Sequence, residues 1–211
     1  MRLQTVLYDK DAQVGIIRLN RPERMNAVIE QMYKDIRTIL EHVRGDNEAR
    51  ALVITGSVLK RESGDKQAFC SGADLKAHAE GKRTAWQRRE YILLAHQITQ
   101  MIYEFPKPVI AAVNGPARGA GAEMALNCDF IFMADDASLA FTETGLGTFV
   151  GGGVTQHLER MVGTFQAKHL IYTGRTVNGT EAVRLGLALK SIPVSMPNMC
   201  PDKTIGWTKM M

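Results

Sequence analysis

The sequence predicts an α/β fold, and three observations predict it. Short apolar runs such as "ALVITG" (51–56) and "VIAAVNG" (109–115) have the length and composition of buried strands. Between such runs lie segments whose apolar residues recur at helical spacing. The two kinds of segment alternate, so strand pairs are interleaved with helices along the chain.

In chain order, residues 3–8 and 14–20 alternate weakly and read as two strands. "NRPERMNA" breaks that pattern at Pro22. Ile29, Met32, Tyr33, Ile36, Ile39, Leu40 and Val43 then fall on one face of a helix. "ALVITG" is a buried strand, and "KQAFCSGADL" (66–75) reads as a second short strand ending in a glycine turn. Thr84 to Glu104 predicts a long amphipathic helix closed by "FPKP". "VIAAVNG" is the next buried strand, followed by small residues that run into a helix-like segment in "GPARGAGAEMAL". "DFIFMA" (129–134) and "SLAF" (138–141) read as strands. From Val154 the pattern is helical, with breaks at Gly163 and Gly174, and "EAVRLGLALK" (181–190) predicts a helix entering a last short strand. With no repeat and no linker, residues 1–192 form one core domain. Residues 193–211, rich in proline and methionine and without period, read as an atypical, poorly ordered tail.

Composition narrows the function. The 211 residues are 45% hydrophobic and 23% charged, the mix of a globular chain with a sizeable core. No run of about 18 apolar residues exists to span a membrane, and "MRLQTVLYDKDAQ" lacks the apolar core of a signal peptide. Cys70, Cys128 and Cys200 lie far apart with no CxxC spacing, which points to reduced thiols and a cytoplasmic location. The net charge is +4, but the basic patches "LKRESGDK" and "GKRTAWQRRE" are interleaved with acids. They read as solvated faces, or as a site for the phosphates of a small anionic ligand, and not as a nucleic-acid surface. His42, His78, His96, His157 and His169 show no metal-binding spacing, so no metal is expected.

"VNGPARGAGAEMALNCDF" (113–130) is the stretch from which function is argued. Its order of strand, glycines and helix resembles a dinucleotide loop, but "GAGAEM" lacks the third small residue at the right offset. "GLGTFVGGG" fails the same template, and no GxxxxGK[ST] occurs. Two readings remain. The small residues serve close packing, with Glu123 a first-turn acid favoured by the helix dipole. Alternatively the turn and its partner "CSGADL" (70–75) each aim a free backbone N–H at one point, as a developing oxyanion requires. A second acid, Glu143 in "FTETGLG", also lies at a strand-to-turn boundary. Two acids beside such donors suit proton removal and delivery next to a carbonyl. Cys70 reads as a small buried residue rather than a nucleophile.

Five segments in order, "RLNRPERMNAV", "AFCSGADLK", "KPVIAAVNGPARGAGAEMALNCDF", "FTETGLGTFVGGGVTQHL" and "GRTVNGTEAVRLGL", resemble the enoyl-CoA hydratase/isomerase, or crotonase, family over about residues 5 to 192. The resemblance implies a crotonase-like spiral of ββα units and an acyl-CoA thioester substrate, with no cofactor beyond the coenzyme A that the substrate carries. It implies oxyanion donors in the backbone N–H groups of Ala73 and Ala120, the latter where many members have glycine. Ala73, Asp74, Leu75 and Lys76 would line the CoA channel. Many hydratases carry a lysine just after "NRP"; here Glu23 stands there, and Arg24 is the candidate for the cationic role. The hydratases' two glutamates fall on Glu123 and Glu143, with Glu123 the water base and Glu143 the main proton donor. Syn hydration of a 2-enoyl-CoA is the activity implied. The alternatives are double-bond isomerisation, another thioester reaction, or a catalytically impaired homologue that acts as a binding or assembly partner. A homotrimer or hexamer is expected for the family. Its members continue with helices that cover the acyl pocket, and the tail here stands in their place, so the C-terminal helical region is expected to be truncated. One RNA-binding branch has a lysine-rich helix that "EQMYKDIRTILEHVRGD" does not match.

Overall fold

Each apolar run of five or six residues becomes a strand of one sheet, and the helical segments return the chain across it. The computed structural model describes residues 1–193 except 61, 63, 81 and 82. The expectations for the tail, Cys200 and a shortened helical region fall on residues 194–211 and beyond, outside the described residues. Strands β1 (Val6–Asp11) and β2 (Val14–Leu19) form an antiparallel hairpin with Val6 opposite Leu19. Helix α1 (Glu30–Gly45) then carries the chain to β3 (Ala51–Gly56), parallel to β2. A small antiparallel pair follows, β4 (Val58–Leu59) and β5 (Lys66–Gln67). Helices α2 (Leu75–Glu80) and α3 (Ala85–Tyr103) precede β6 (Val109–Val113), parallel to β3.

Beyond β6 come β7 (Ala117–Arg118), α4 (Ala120–Leu126), β8 (Phe130–Ala134) and β9 (Ser138–Ala140). The chain ends its described part with α5 (Val154–Val162), α6 (Thr164–Thr173), β10 (Val177–Asn178), α7 (Gly179–Arg184) and β11 (Lys190–Ile192). The main sheet has the order β1-β2-β3-β6-β8-β11, and every pairing after the first hairpin is parallel. A second sheet, β10-β9-β7, stands beside it. This interleaving of short strand pairs with crossover helices is the predicted α/β architecture.

Burial explains the element types. All six residues of β3 and all five of β6 are buried, which is why they read as unbroken apolar runs. On α1 the residues Met32, Tyr33, Ile36, Ile39, Leu40 and Val43 form the buried face, at about 1.5–3 kcal/mol for each large apolar side chain removed from water. Helix α3 starts where Thr84 and Gln87 cap each other, side chain to backbone N–H, at 3.2 Å and 2.9 Å.

One expectation needs correction. "KQAFCSGADL" is not one strand: only Lys66 and Gln67 pair regularly, and Cys70, Ser71 and Gly72 have backbone partners on several different segments. The segment 181–190 is a helix entering a short strand, as expected: α7 ends at Arg184, Gly186 turns the chain with φ +77°, and β11 begins at Lys190.

Candidate functional site

The three residues that open α4 do different things. Gly119 precedes the helix with φ +46°, in the left-handed region that strains other residues, and a Cβ on it would stand 2.9 Å from Glu143 Oε1. Gly121 presses on the neighbouring turn: a Cβ there would lie 2.2 Å from the carbonyl oxygen of Cys70. Between them Ala120 supplies the first N–H of the helix. Such an N–H has no intrahelical acceptor, and this one donates to no protein group among the described residues.

The turn at 70–74 supplies a second free N–H. Val28 N–H donates to Gly72 O at 2.8 Å, and Asp74 N–H donates to Val28 O at 2.9 Å. In a parallel bridge the intervening residue's groups point the other way. The N–H of Ala73 therefore faces away from Val28, and it too has no acceptor among the described residues. The two turns are bonded to each other. Cys70 N–H donates to Pro116 O at 3.1 Å and Arg118 N–H to Cys70 O at 2.9 Å. A Cβ on Gly72 would lie 3.8 Å from the Ala120 nitrogen, which measures how closely the two turns approach.

Ala73 and Ala120 line one cavity of about 300 Å³ together with both candidate acids, Glu123 and Glu143. Leu75, Ile92, Leu146 and Phe149 give it an apolar side. The acids have different surroundings. Glu123, in the first turn of α4, is half-buried, and its Oε1 accepts the N–H of Gly151 at 2.7 Å. Burial raises its pKa and the Gly151 N–H opposes the rise. Glu143, at the start of a short 3-10 turn, is 9% exposed, and its Oε2 has no hydrogen-bond partner among the described residues. Burial pushes its carboxyl up to about 7; its own backbone N–H opposes the rise and the charge of Glu123 adds to it. Glu143 senses the charge of Glu123, and one carboxyl has an N–H donor while the other has an oxygen without a partner among the described residues, an arrangement that suits an acid–base pair. Beside two convergent N–H donors, such a pair can move protons next to a polarised carbonyl.

The remaining candidates are placed differently. Leu75 lines the cavity and is largely exposed. Asp74 Oδ1 accepts the Ala77 N–H at 3.2 Å and so caps α2, while Oδ2 pairs with Arg21 at 3.0 Å. The Ala77 N–H, and after it Arg21, hold the Asp74 carboxyl below its usual range against a rise from burial. Arg24 and Lys76 are exposed and lie outside the cavity lining; the Arg24 carbonyl accepts the Ser71 hydroxyl at 3.4 Å, beside the Ala73 turn.

Several contributors escaped the sequence reading. Arg21 ties Ala27 O to Asp74, and buried Asn26, at φ +55°, donates to Ala68 O at 2.8 Å and Ser57 O at 3.1 Å. Both lie in the "NRPERMNA" break, where the positive φ leaves no periodic signal. Tyr33 doubles as a core residue of α1 and a wall of the cavity, its ring 5.8 Å from that of Tyr91. Gly151 acts through its backbone and belongs to "GLGTFVGGG", which matched no template. Cys70 and Cys128 are free thiols and Cys70 is buried, as expected; Cys128 is buried too. Among the described residues no cluster of three metal-ligating side chains occurs, and no helix is long and apolar enough to cross a membrane.

Comparison with known proteins bears on the family and the fold. Residues 9–198 match the family model for enoyl-CoA hydratase/isomerase. The chain is 37% identical over 192 residues to the crotonyl-CoA hydratase of Syntrophomonas wolfei, covering 91% of this chain and 70% of that protein. It is 34% identical over 195 residues to the short-chain-enoyl-CoA hydratase of Clostridium acetobutylicum, covering 92% and 71%. The crystal structure of an enoyl-CoA hydratase from Bacillus anthracis has a TM-score of 0.86 and 35% identity, covering 98% of this chain and 76% of that one. The chain spans about two thirds of the length of the curated relatives it matches, 65% for one from Bacillus subtilis.

Proposed function

The chain belongs to the enoyl-CoA hydratase/isomerase family, and from that premise we propose that it adds water across the 2,3 double bond of a 2-enoyl-CoA thioester. The observation that carries the reading is the shared cavity, lined by two residues whose N–H groups have no acceptor among the described residues and by two carboxyls, one held by the Gly151 N–H and one with an unpartnered oxygen. The N–H groups of Ala73 and Ala120 hold the thioester oxygen and stabilise the enolate as charge moves onto it. Glu123, whose Oε1 accepts the Gly151 N–H, takes a proton from the attacking water as the water oxygen bonds to C3. Glu143, still carrying its proton near neutral pH, delivers it to C2. One proton has then moved from Glu143 to product and one from water to Glu123, and exchange between the coupled carboxyls restores the starting state. Arg24 and Lys76, at the rim, face the phosphates of coenzyme A, with Asp74 shaping the turn that Leu75 and Lys76 follow. The reaction uses no cofactor besides the coenzyme A of the substrate, and the family's homotrimer or hexamer is the assembly expected around it.

The test is turnover of 2-enoyl-CoA and 3-enoyl-CoA in isotopically labelled water, beside Glu123→Gln and Glu143→Gln. Hydration yields labelled 3-hydroxyacyl-CoA, lost in both variants by about two to four orders of magnitude. Double-bond migration without oxygen incorporation would replace the reading with an isomerase. A folded chain that binds acyl-CoA and turns over neither substrate would make it a binding partner.

A further inference from the structure

We propose that Asn127 is a positioning residue for Glu123: it fixes the Gly151–Gly152 segment whose backbone N–H holds the Glu123 carboxylate. The side chain of Asn127 leaves the last turn of α4, one turn after Glu123, and is 3% exposed. Its Nδ2 group has two protons and uses both. One goes to the Glu123 carbonyl at 2.8 Å, the other to the Gly152 carbonyl at 2.6 Å. The neighbouring N–H, that of Gly151, reaches Glu123 Oε1 at 2.7 Å. Helix, amide, loop and carboxylate thus close a ring of hydrogen bonds in which Asn127 is the only side chain besides the acid itself.

The loop needs that tether. Residues 151–153 are three glycines, and Gly152 and Gly153 have φ +56° and +75°. Glycines carry no side chain to anchor a loop and lose the most conformational freedom on ordering. Added side chains would crowd the acid: a Cβ on Gly151 would lie 3.3 Å from Glu123 Oε1, and one on Gly152, at φ +56°, would lie 3.0 Å from Glu123 Cβ. Close approach to the acid favours glycine, the N–H groups of Val154 and His157 hold the carbonyls of Gly151 and Gly153, and Asn127 supplies the side-chain anchor at Gly152.

The charged and titratable groups facing Glu123 are Glu143 from the 3-10 turn, Tyr33 from α1, Tyr91 and His96 from α3, and Cys70 from the turn at 70–74. None of them replaces the Gly151 N–H, which favours the ionised acid. Loosening the loop removes that support, so the Glu123 carboxyl holds its proton to higher pH.

The inference rests on the hydratase reading for its kinetic consequence alone, since the titration of Glu123 needs no substrate. The experiment is a carbon-13 NMR titration of glutamate-labelled protein, with the Glu123 signal assigned by its loss in Glu123→Gln. In Asn127→Ala the Glu123 carboxyl titrates at higher pH than in the wild type, and Asn127→Gln, which keeps the donor, returns it part of the way. If the chain hydrates enoyl-CoA, kcat/KM falls about tenfold, the worth of one hydrogen bond to a charged group, with its acid limb moved up. In a Glu123→Gln background the same Asn127 change leaves residual activity unaltered. Should Asn127→Ala fail to fold, Asn127→Thr, which cannot span both carbonyls, takes its place. An unmoved Glu123 titration in a folded variant overturns the proposal, whatever its stability. Failure of hydration in the wild type with the titration shift present overturns the hydratase reading and leaves the positioning role standing.

Discussion

Replacing Gly121 with alanine drives a methyl group into the seam between the two donor turns. The added Cβ would sit 2.2 Å from the Cys70 carbonyl oxygen, 2.7 Å from Cys70 Cβ and 2.9 Å from the Cys70 carbonyl carbon. Ordinary contact begins at 3.4 Å, so the turns must separate by about 1 Å. The nearest atoms are backbone, held by the bonds from Arg118 to Cys70 and from Cys70 to Pro116, so no rotamer change relieves the clash. Overpacking of this kind costs about 3 kcal/mol at its upper end, which lowers the melting temperature of a chain this size by about 6–12 °C. Activity falls further than stability. Ala73 and Ala120 lie on opposite sides of that seam, and a misplacement of about 1 Å costs on the order of 100-fold in rate. The assay pairs a circular-dichroism melt with hydration kinetics at a temperature where the variant is fully folded. Gly45→Ala is the control, because a Cβ there meets nothing within 4 Å. A Gly121→Ala protein that melts within about 2 °C of the wild type with unchanged kcat/KM would refute the close approach of the turns as the basis of the site.

Other perturbations follow from the same geometry. Because burial holds the Glu143 proton up to about 7, kcat/KM declines as pH rises through that value. The sign for stability follows from linkage: folding favours the protonated form, so the contribution is present below the ordinary carboxylate pKa and lost as pH rises through about 7. Glu143→Gln is therefore more resistant to urea than the wild type at pH 8, relative to their difference at pH 4, measured by paired denaturation curves. Asn26→Ala leaves Ala68 O, Ser57 O and Arg21 N–H without their partner and costs about 3 kcal/mol in urea unfolding. Arg21→Ala frees the buried Asp74 and the Ala27 carbonyl, lowering stability by about 2 kcal/mol and raising KM for acyl-CoA more than it changes kcat.

What was legible in the sequence was what repeats. β3 and β6 are apolar on both faces because both faces are covered, and α1 shows its buried side at helical spacing, so each declared itself from composition alone. The glycine turns were legible as a pair because both follow apolar segments and both lead into helices. The segment around Phe69 and Cys70 misled because its apolar residues resemble a strand, while its backbone partners lie on Met25, Val28, Pro116 and Arg118. Those partners are distant in sequence and carry no periodic mark. The same holds for Arg21, Asn26, Asn127 and Gly151. Each acts through a bond to a backbone or side-chain group on another segment, and no local pattern encodes which one. The different surroundings of Glu123 and Glu143 likewise arise from burial that only the assembled sheets and helices create.

The deep burial of Cys70 also bears on chemical safety. A free thiolate beside an acyl thioester would capture the acyl group by thiol exchange and release coenzyme A, inactivating the site with its own substrate. Cys70 belongs to the very turn that would hold such a thioester, yet it is fully covered, and burial pushes its thiol up to about 12. At neutral pH almost none of it is ionised, and the thiol alone is a poor nucleophile. In the proposed reaction, a sulfur atom in the donor turn would thereby be kept from competing with water for the substrate.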